Sequence, residues 1–331
     1  MKDNTVFICI TPTKNEAWIL PVFLEINSQW ADKFIVVDQC STDGSIEILQ
    51  KHPKVTLIKN ENLEYDELYR SRLLWENVRK IKAEKRIVIA LDADEYIPPA
   101  LVNSEEWRGL VNLKLGTRIY MKWIEVQPAF KGYISNVRMK PFGYVDDLKE
   151  IQGKKIHSDR VPTNEVVEPY YCNEVVNLHL GEVPIVRNYK KHSWYLMWEY
   201  IEKNTSAFDL NLNYRKSAAL PGKMLETLDN KWLPLVIKKS KLDIDVDTIT
   251  WWDLEIIHWL IKYGEDKFKM LDIWNYDWNL IYKKLGNQGD LRDPRSILDK
   301  IIMVYIHKVK YKKNMFFVRI LNYTIKMFWH K

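Results

Sequence analysis

Apolar and polar positions alternate in blocks along the first 120 residues. VFICITP (6–12), KFIVVD (33–38), VTLIKN (55–60) and RIVIALD (86–92) are short apolar runs, each closing on polar or turn residues. Between them lie stretches with apolar residues at helical spacing, at 16–30, 45–52 and 67–85. Short buried runs alternating with helical segments predict βαβ units and a mostly parallel central sheet, an α/β fold of Rossmann-like type. Asn15 is placed to cap the first helix. Ligands of such sheets bind beyond the carboxyl ends of the strands, and Thr11, Asp38 and Asp92 each stand at one of those ends.

Past residue 117 the pattern changes to shorter strands and loops, including RIYMKWIEV and VVNLHL. From about 190 it becomes helical and aromatic, through HSWYLMWEYIEKN and TITWWDLEIIHWLIKYGEDKFKMLDIWNYDWNLIYKKLG. The expected organisation is a sheet domain over 1–187 and an aromatic-rich helical region over 188–331. Tryptophans at helical spacing predict core positions first and sugar-stacking surfaces second.

Charge adds one thing. Of 50 Lys and Arg, eight fall between Lys300 and Lys331, where there is no acid, leaving 42 basic against 44 acidic residues before them. The basic character therefore belongs to the tail, which speaks against a nucleic-acid groove through the body. On a helical wheel Arg319, Asn322 and Lys326 share one narrow side. Met315, Phe316, Phe317, Ile320, Leu321, Met327, Phe328 and Trp329 spread over the remainder. A basic amphipathic helix of this kind suits an anionic membrane interface, or docking on its own domain or a second copy. Three scattered cysteines build no disulfide framework. No run reaches the roughly 20 apolar residues of a membrane span. The location expected is cytoplasmic, or peripheral on the inner face of the cell membrane.

The densest chemistry is IVIALDADEYIPP (87–99), a hydrophobic strand that runs into Asp92, Asp94 and Glu95. Carboxylates this close repel, so a positive group is expected between them. Hard carboxylate oxygens at a strand end suit Mg²⁺ or Mn²⁺.

TPTKNE (11–16), VVDQCSTDGS (36–45) and LDADE (91–95) follow in that order on successive strands. Together they resemble the family 2 glycosyltransferases, whose nucleotide-sugar-binding domain has the GT-A fold. The similarity covers roughly residues 5–100 and reaches toward 185. It implies a divalent-metal-dependent transfer from a nucleotide-sugar donor, UDP-sugar favoured, to an acceptor hydroxyl with inversion. Thr11 and Glu16 would line the nucleotide pocket, Asp38 would meet the base, and Asp43 and Gly44 would shape the adjoining loop. Asp92 would lie near ribose and metal, and Asp94 would ligate the metal. Arg70 and Arg72, on the helix before the fourth strand, would reach toward the diphosphate. A downstream histidine completes the metal shell in some GT-A enzymes, which points to His179. The family takes its general base from a Glu-Asp or His-Glu pair after the Asp-x-Asp. GKKIHSDRVP (153–162) has neither, so Asp159 is the first candidate, Glu182 the next, with Asp146 and Asp147 also open. His157 would orient the acceptor or a phosphate. Such enzymes usually serve glycan or glycolipid acceptors in surface polysaccharide synthesis. Two alternatives are a DNA acceptor carrying modified bases and a nucleotide-sugar-binding protein without turnover.

Overall fold

The computed structural model describes residues 4–62, 66–134, 138–152, 159–163, 166–203, 205–214, 225–240, 242 and 249–329. His157 lies outside them. The chain divides into two compact units, Met1–Val183 with Glu226–Leu242, and Pro184–Leu225 with Asp243–Lys331.

The first unit opens β1 (Thr5–Thr13), α1 (Leu20–Asn27), β2 (Lys33–Asp38), α2 (Ser45–Lys51), β3 (Val55–Lys59), α3 (Glu67–Val78) and β4 (Lys85–Ala90). It continues through β5 (Glu95–Tyr96), α4 (Pro99–Val102), α5 (Glu105–Gly109), β6 (Arg118–Glu125), β7 (Tyr133–Ile134), β8 (Arg138–Val145) and β9 (Tyr170–His179). The sheet order is β3-β2-β1-β4-β8-β6-β9-β5. The pairings run β1 to β4, β6 and β9 in one direction, with β8 and β5 opposed. This is the mostly parallel α/β sheet expected from the sequence, and most of the chain after β9 is helical.

Period-two alternation sorts the strand residues between two faces. Cys9, Phe34, Val36, Ile87 and Ile89 pack with Leu20, Phe23 and Ile26 of α1. Ile8, Ile10, Ile35, Val37, Val88 and Ala90 pack with Leu74, Trp75 and Val78 of α3. Because helices cover both faces, these strands read as unbroken apolar runs.

Two boundaries differ from the pattern. The first helix begins at Leu20 instead of residue 16, because Pro21 lacks an N–H and fits only the first turn. Asn15 therefore caps no helix. It takes a left-handed φ of 57°, and its Oδ1 accepts the Thr42 N–H at 2.7 Å. The third helix ends at Val78, and residues 79–84 form the turn into β4.

The second unit holds α6 (Ile185–Glu202) and α7 (Ala207–Asn213); α8 (Leu235–Lys239) belongs to the first unit. The second continues with α9 (Trp251–Tyr263), α10 (Trp278–Lys284), α11 (Ile297–Val309) and α12 (Phe316–Trp329). Trp252, Trp274 and Trp278 are buried, as core tryptophans should be.

Candidate active site

The first two motifs meet because β1 and β2 are parallel neighbours in register, with Thr13 opposite Asp38. Asp38 is buried, and its carboxylate accepts the Thr13 hydroxyl at 3.0 Å and the Ser41 N–H at 2.8 Å. The Ser41 hydroxyl in turn accepts the Asn15 N–H at 2.7 Å. Asp43 ties the same loops from outside, taking the Ala17 N–H at 3.0 Å and the Ser45 hydroxyl at 2.6 Å. Gly44, with φ 94°, permits the turn that starts α2. Glu16 belongs to this knot, its Oε2 accepting the Trp18 indole N–H. Thr11 lies behind the edge, fully buried, its Oγ1 3.6 Å from Cys9 Sγ. The loop motifs thus form one cross-braced rim, in which Asp38 and Asp43 spend much of their bonding capacity on backbone and hydroxyl donors.

The acidic strand end holds the positive group that repulsion demands, and the chain supplies it. Arg160 donates to Asp92 through Nη2 and to Glu95 through Nη1. Glu95 is 1% exposed and also accepts the Trp123 indole N–H at 2.8 Å and the Asp92 N–H at 2.9 Å. Burial opposes the charge on Arg160, but Asp92, Glu95 and Asp94 outweigh it and drive its pKa further up. Neither Arg160 nor Glu95 was singled out as a site residue from the sequence. The signal for Glu95 was present in LDADE itself.

Asp94 has a different partner. β5 pairs antiparallel with the end of β9, setting Glu95 opposite His179. This brings His179 Nε2 to 3.4 Å from Asp94 Oδ2, both side chains largely buried. Burial alone would favour neutral imidazole, yet Asp94, Glu95 and Glu125 raise the His179 pKa to about 9. The ring lies against Trp123, centroids 4.8 Å apart, and Lys140 Nζ stands 3.1 Å from the centroid of that indole. Lys140 has its pKa lowered by burial and by Arg160. Gly181 makes room for the pair: a Cβ there would stand 2.7 Å from His179 Nε2 and 3.0 Å from Asp94 Oδ2.

The candidates for proton acceptor separate clearly. Asp146 lies at the opposite edge of the sheet, where its N–H bonds the Arg86 carbonyl and its carboxylate pairs with Arg79 and Arg86. Asp147 accepts the Tyr144 hydroxyl at 2.8 Å next to it. Asp159 is half exposed, and its carboxylate bonds Arg118 at 3.0 Å, at the start of β6. Arg72 is exposed and pairs with Glu150 at 3.7 Å, in the segment that begins at that opposite edge. Glu182 remains at the carboxyl edge, buried just after β9. Its negative charge, after burial itself, raises the pKa of Glu125 at the end of β6. Glu125 has no motif around it in sequence, and only the pairing of β6 with β9 brings it here.

The residues fit a divalent cation in part. Among the described residues no three His, Cys, Asp or Glu side chains gather as a metal group. The set Asp92, Asp94 and His179 is not assembled, since Asp92 is turned to Arg160. Asp94 and His179 do present an oxygen and a nitrogen at 3.4 Å, near the roughly 3 Å between adjacent ligands on one small cation. Among the described residues His179 Nδ1 is buried with no hydrogen-bond partner. What fits is a two-ligand site with the remaining positions left to phosphate oxygens and water.

Residues 8–104 match the model of glycosyl transferase family 2, the family recognised from the three motifs. No curated protein matches the chain. Among solved structures, the S. aureus TarS 1-349 complex with UDP is similar over 94% of this chain and 92% of that one, at 14% identity and a TM-score of 0.38. A longer S. aureus TarS structure gives 15% identity and a TM-score of 0.37 over 65% of this chain, which spans 43% of it. Glucosyl-3-phosphoglycerate synthase from Mycobacterium tuberculosis, with Mn²⁺, UDP and glucosyl-3-phosphoglycerate, gives 18% identity and 0.27 over 36% of this chain and 44% of that one.

Proposed function

We propose that this chain, which carries a glycosyl transferase family 2 segment at residues 8–104, moves a sugar from a nucleoside diphosphate donor to an acceptor hydroxyl with inversion. The observation that carries the reading is the convergence of three separate motifs on one sheet edge, where Asp94 and His179 form an oxygen–nitrogen pair at 3.4 Å. The nucleoside lies over the rim braced by Asp38 and Asp43. UDP is the favoured nucleotide, because a carboxylate such as Asp38 accepts from a uracil N–H.

Asp94 and His179 would hold Mn²⁺ or Mg²⁺, which would relieve negative charge on the departing diphosphate. Arg160 fixes Asp92 against Glu95, so that the acidic strand end keeps its shape while the donor enters. Glu182 takes the proton from the acceptor hydroxyl. It is the sequence candidate that remains at the carboxyl edge, buried just after β9. The acceptor class is a glycan or glycolipid hydroxyl.

The direct test is nucleotide release from a panel of UDP-, GDP- and CDP-sugars with Mn²⁺, together with the anomeric configuration of the product. Release from one donor supports transfer. Binding of a donor with no release, even with sugar acceptors added, would support the second reading, a nucleotide-sugar-binding protein without turnover. That reading is favoured by one observation: Asp159, the first candidate for the base, is paired with Arg118 at the start of β6, away from the carboxyl edge.

A further inference from the structure

The tail helix docks by the side the sequence pattern marks as polar. Asn322 Oδ1 accepts the Tyr305 hydroxyl of α11 at 2.9 Å, and Lys326 pairs with Asp209 of α7. Trp329 closes the contact, donating its indole N–H to Asp299 at 2.8 Å and packing on Phe208 with Val318 and Ile325 nearby. The helix is therefore held in place, and its broad apolar face is turned outward.

That face is large. Phe316 is 70% exposed, Phe317 80%, Tyr323 68% and Phe328 75%, with Ile320 and Met327 above half. The adjacent α11 leaves a second stripe open, with Ile297 80% and Ile301 60% exposed. Exposed apolar surface on this scale marks an interaction site in a folded protein. Basic side chains border it. Lys313 and Arg319 line a groove of about 870 Å³ between α7 and α12, together with Phe316, Ile320 and the Lys326–Asp209 pair. No acid occurs from Lys300 to the end of the sequence.

We infer that the α11–α12 face is a membrane-docking surface, whose occupant is the interface of a bilayer rich in anionic phospholipid. Charge complementarity chooses this occupant. An apolar face bordered by Lys313 and Arg319 matches acyl chains beneath anionic headgroups, with these side chains reaching up from the border. A second copy of the chain would instead bring another Lys313 and Arg319 toward these two. The helix lies in the plane: α12 has 14 residues, about 21 Å at the usual rise, and no described helix is long and apolar enough to cross a membrane. This inference stands apart from the transfer reaction.

The experiment is flotation of the full chain with phosphatidylcholine vesicles, with and without phosphatidylglycerol. Binding to the anionic vesicles alone is expected. Arg319→Glu should weaken it more than about fivefold, the usual worth of one charge at such a surface, and added salt should weaken it too. Phe317→Ser with Phe328→Ser should abolish it. Both phenylalanines are exposed, so the melting temperature and any nucleotide binding of these variants should match wild type. No binding to either vesicle would overturn the inference. So would a dimer in sedimentation that the double serine variant dissociates, which would assign the face to a second copy.

Discussion

His179 Nε2 lies 3.4 Å from Asp94 Oδ2 at the carboxyl edge of the sheet, in a space that only a glycine at position 181 leaves open. Asp94 comes from the acidic strand end and His179 from the last residue of β9. The pairing of β5 with β9 is what makes them neighbours.

This pair makes stability depend on pH in the absence of metal. The folded-state pKa of His179, about 9, is above the unfolded value of about 6.5. Its stabilising contribution is therefore complete below about pH 6.5 and is lost as pH rises through about 9, an effect of about 3 kcal/mol at most. Urea unfolding of wild type and His179→Gln at several pH values checks this. The difference between them should shrink from pH 6.5 to 9, and a constant difference would refute the assignment.

Gly181→Ala should damage the pair without touching its chemistry. The new methyl meets His179 and Asp94 at 2.7 and 3.0 Å, so one or both must move. A cost of about 1–3 kcal/mol is expected, with loss of any Mn²⁺-dependent stabilisation. Full Mn²⁺ response in this variant would mean that the pair is not where the cation binds.

Arg160→Ala leaves Glu95 buried without its cation. A loss of about 3 kcal/mol is expected, at the low end for a broken buried pair, because Trp123 and the Asp92 amide still bond Glu95 and Arg160 is itself a third exposed. Arg160→Ala combined with Glu95→Gln should recover part of that loss. Thermal denaturation of the four proteins gives the coupling, and additive losses would contradict a direct interaction.

The two leading candidates for base predict opposite results. Glu182→Gln should lower kcat by about 10²–10⁴ with the donor KM little changed. Asp159→Asn, which breaks only a half-exposed pair with Arg118, should stay near wild type. The reverse pattern would restore Asp159 as the base and reject Glu182.

Much of the fold was legible because its signals are local. The apolar runs of β1 to β4 and the helices between them are periodic patterns, and the turn residues around Asp43 and Gly44 carry their own conformational preferences. The site's partners were harder to see. Arg160 lies 68 residues from Asp92 and 65 from Glu95, and an ion pair between distant segments leaves no periodic trace. The motif did show that a positive charge was needed, but not that an arginine of the same chain supplies it. Glu125 was hidden for a similar reason, since only strand pairing brings it beside His179. In the tail, the helical wheel set Asn322 and Lys326 apart from the exposed phenylalanines, but it put Trp329 with the latter, whereas Trp329 is buried in the docked contact. Which face docks depends on Tyr305 and Asp209, and that is a tertiary fact.

In the proposed function Asp94 and His179 would hold a divalent cation against the diphosphate of a nucleotide sugar. This is tested most directly by the melting temperature with UDP, GDP and CDP, each with and without Mn²⁺, for wild type and Asp94→Ala. Ligand that binds only the folded state raises the melting temperature by mass action. The prediction is a rise with one nucleotide, UDP foremost, that requires Mn²⁺ and disappears in Asp94→Ala. A rise of equal size without Mn²⁺, or in the variant, would contradict the metal site. No rise with any nucleotide would contradict the donor site altogether.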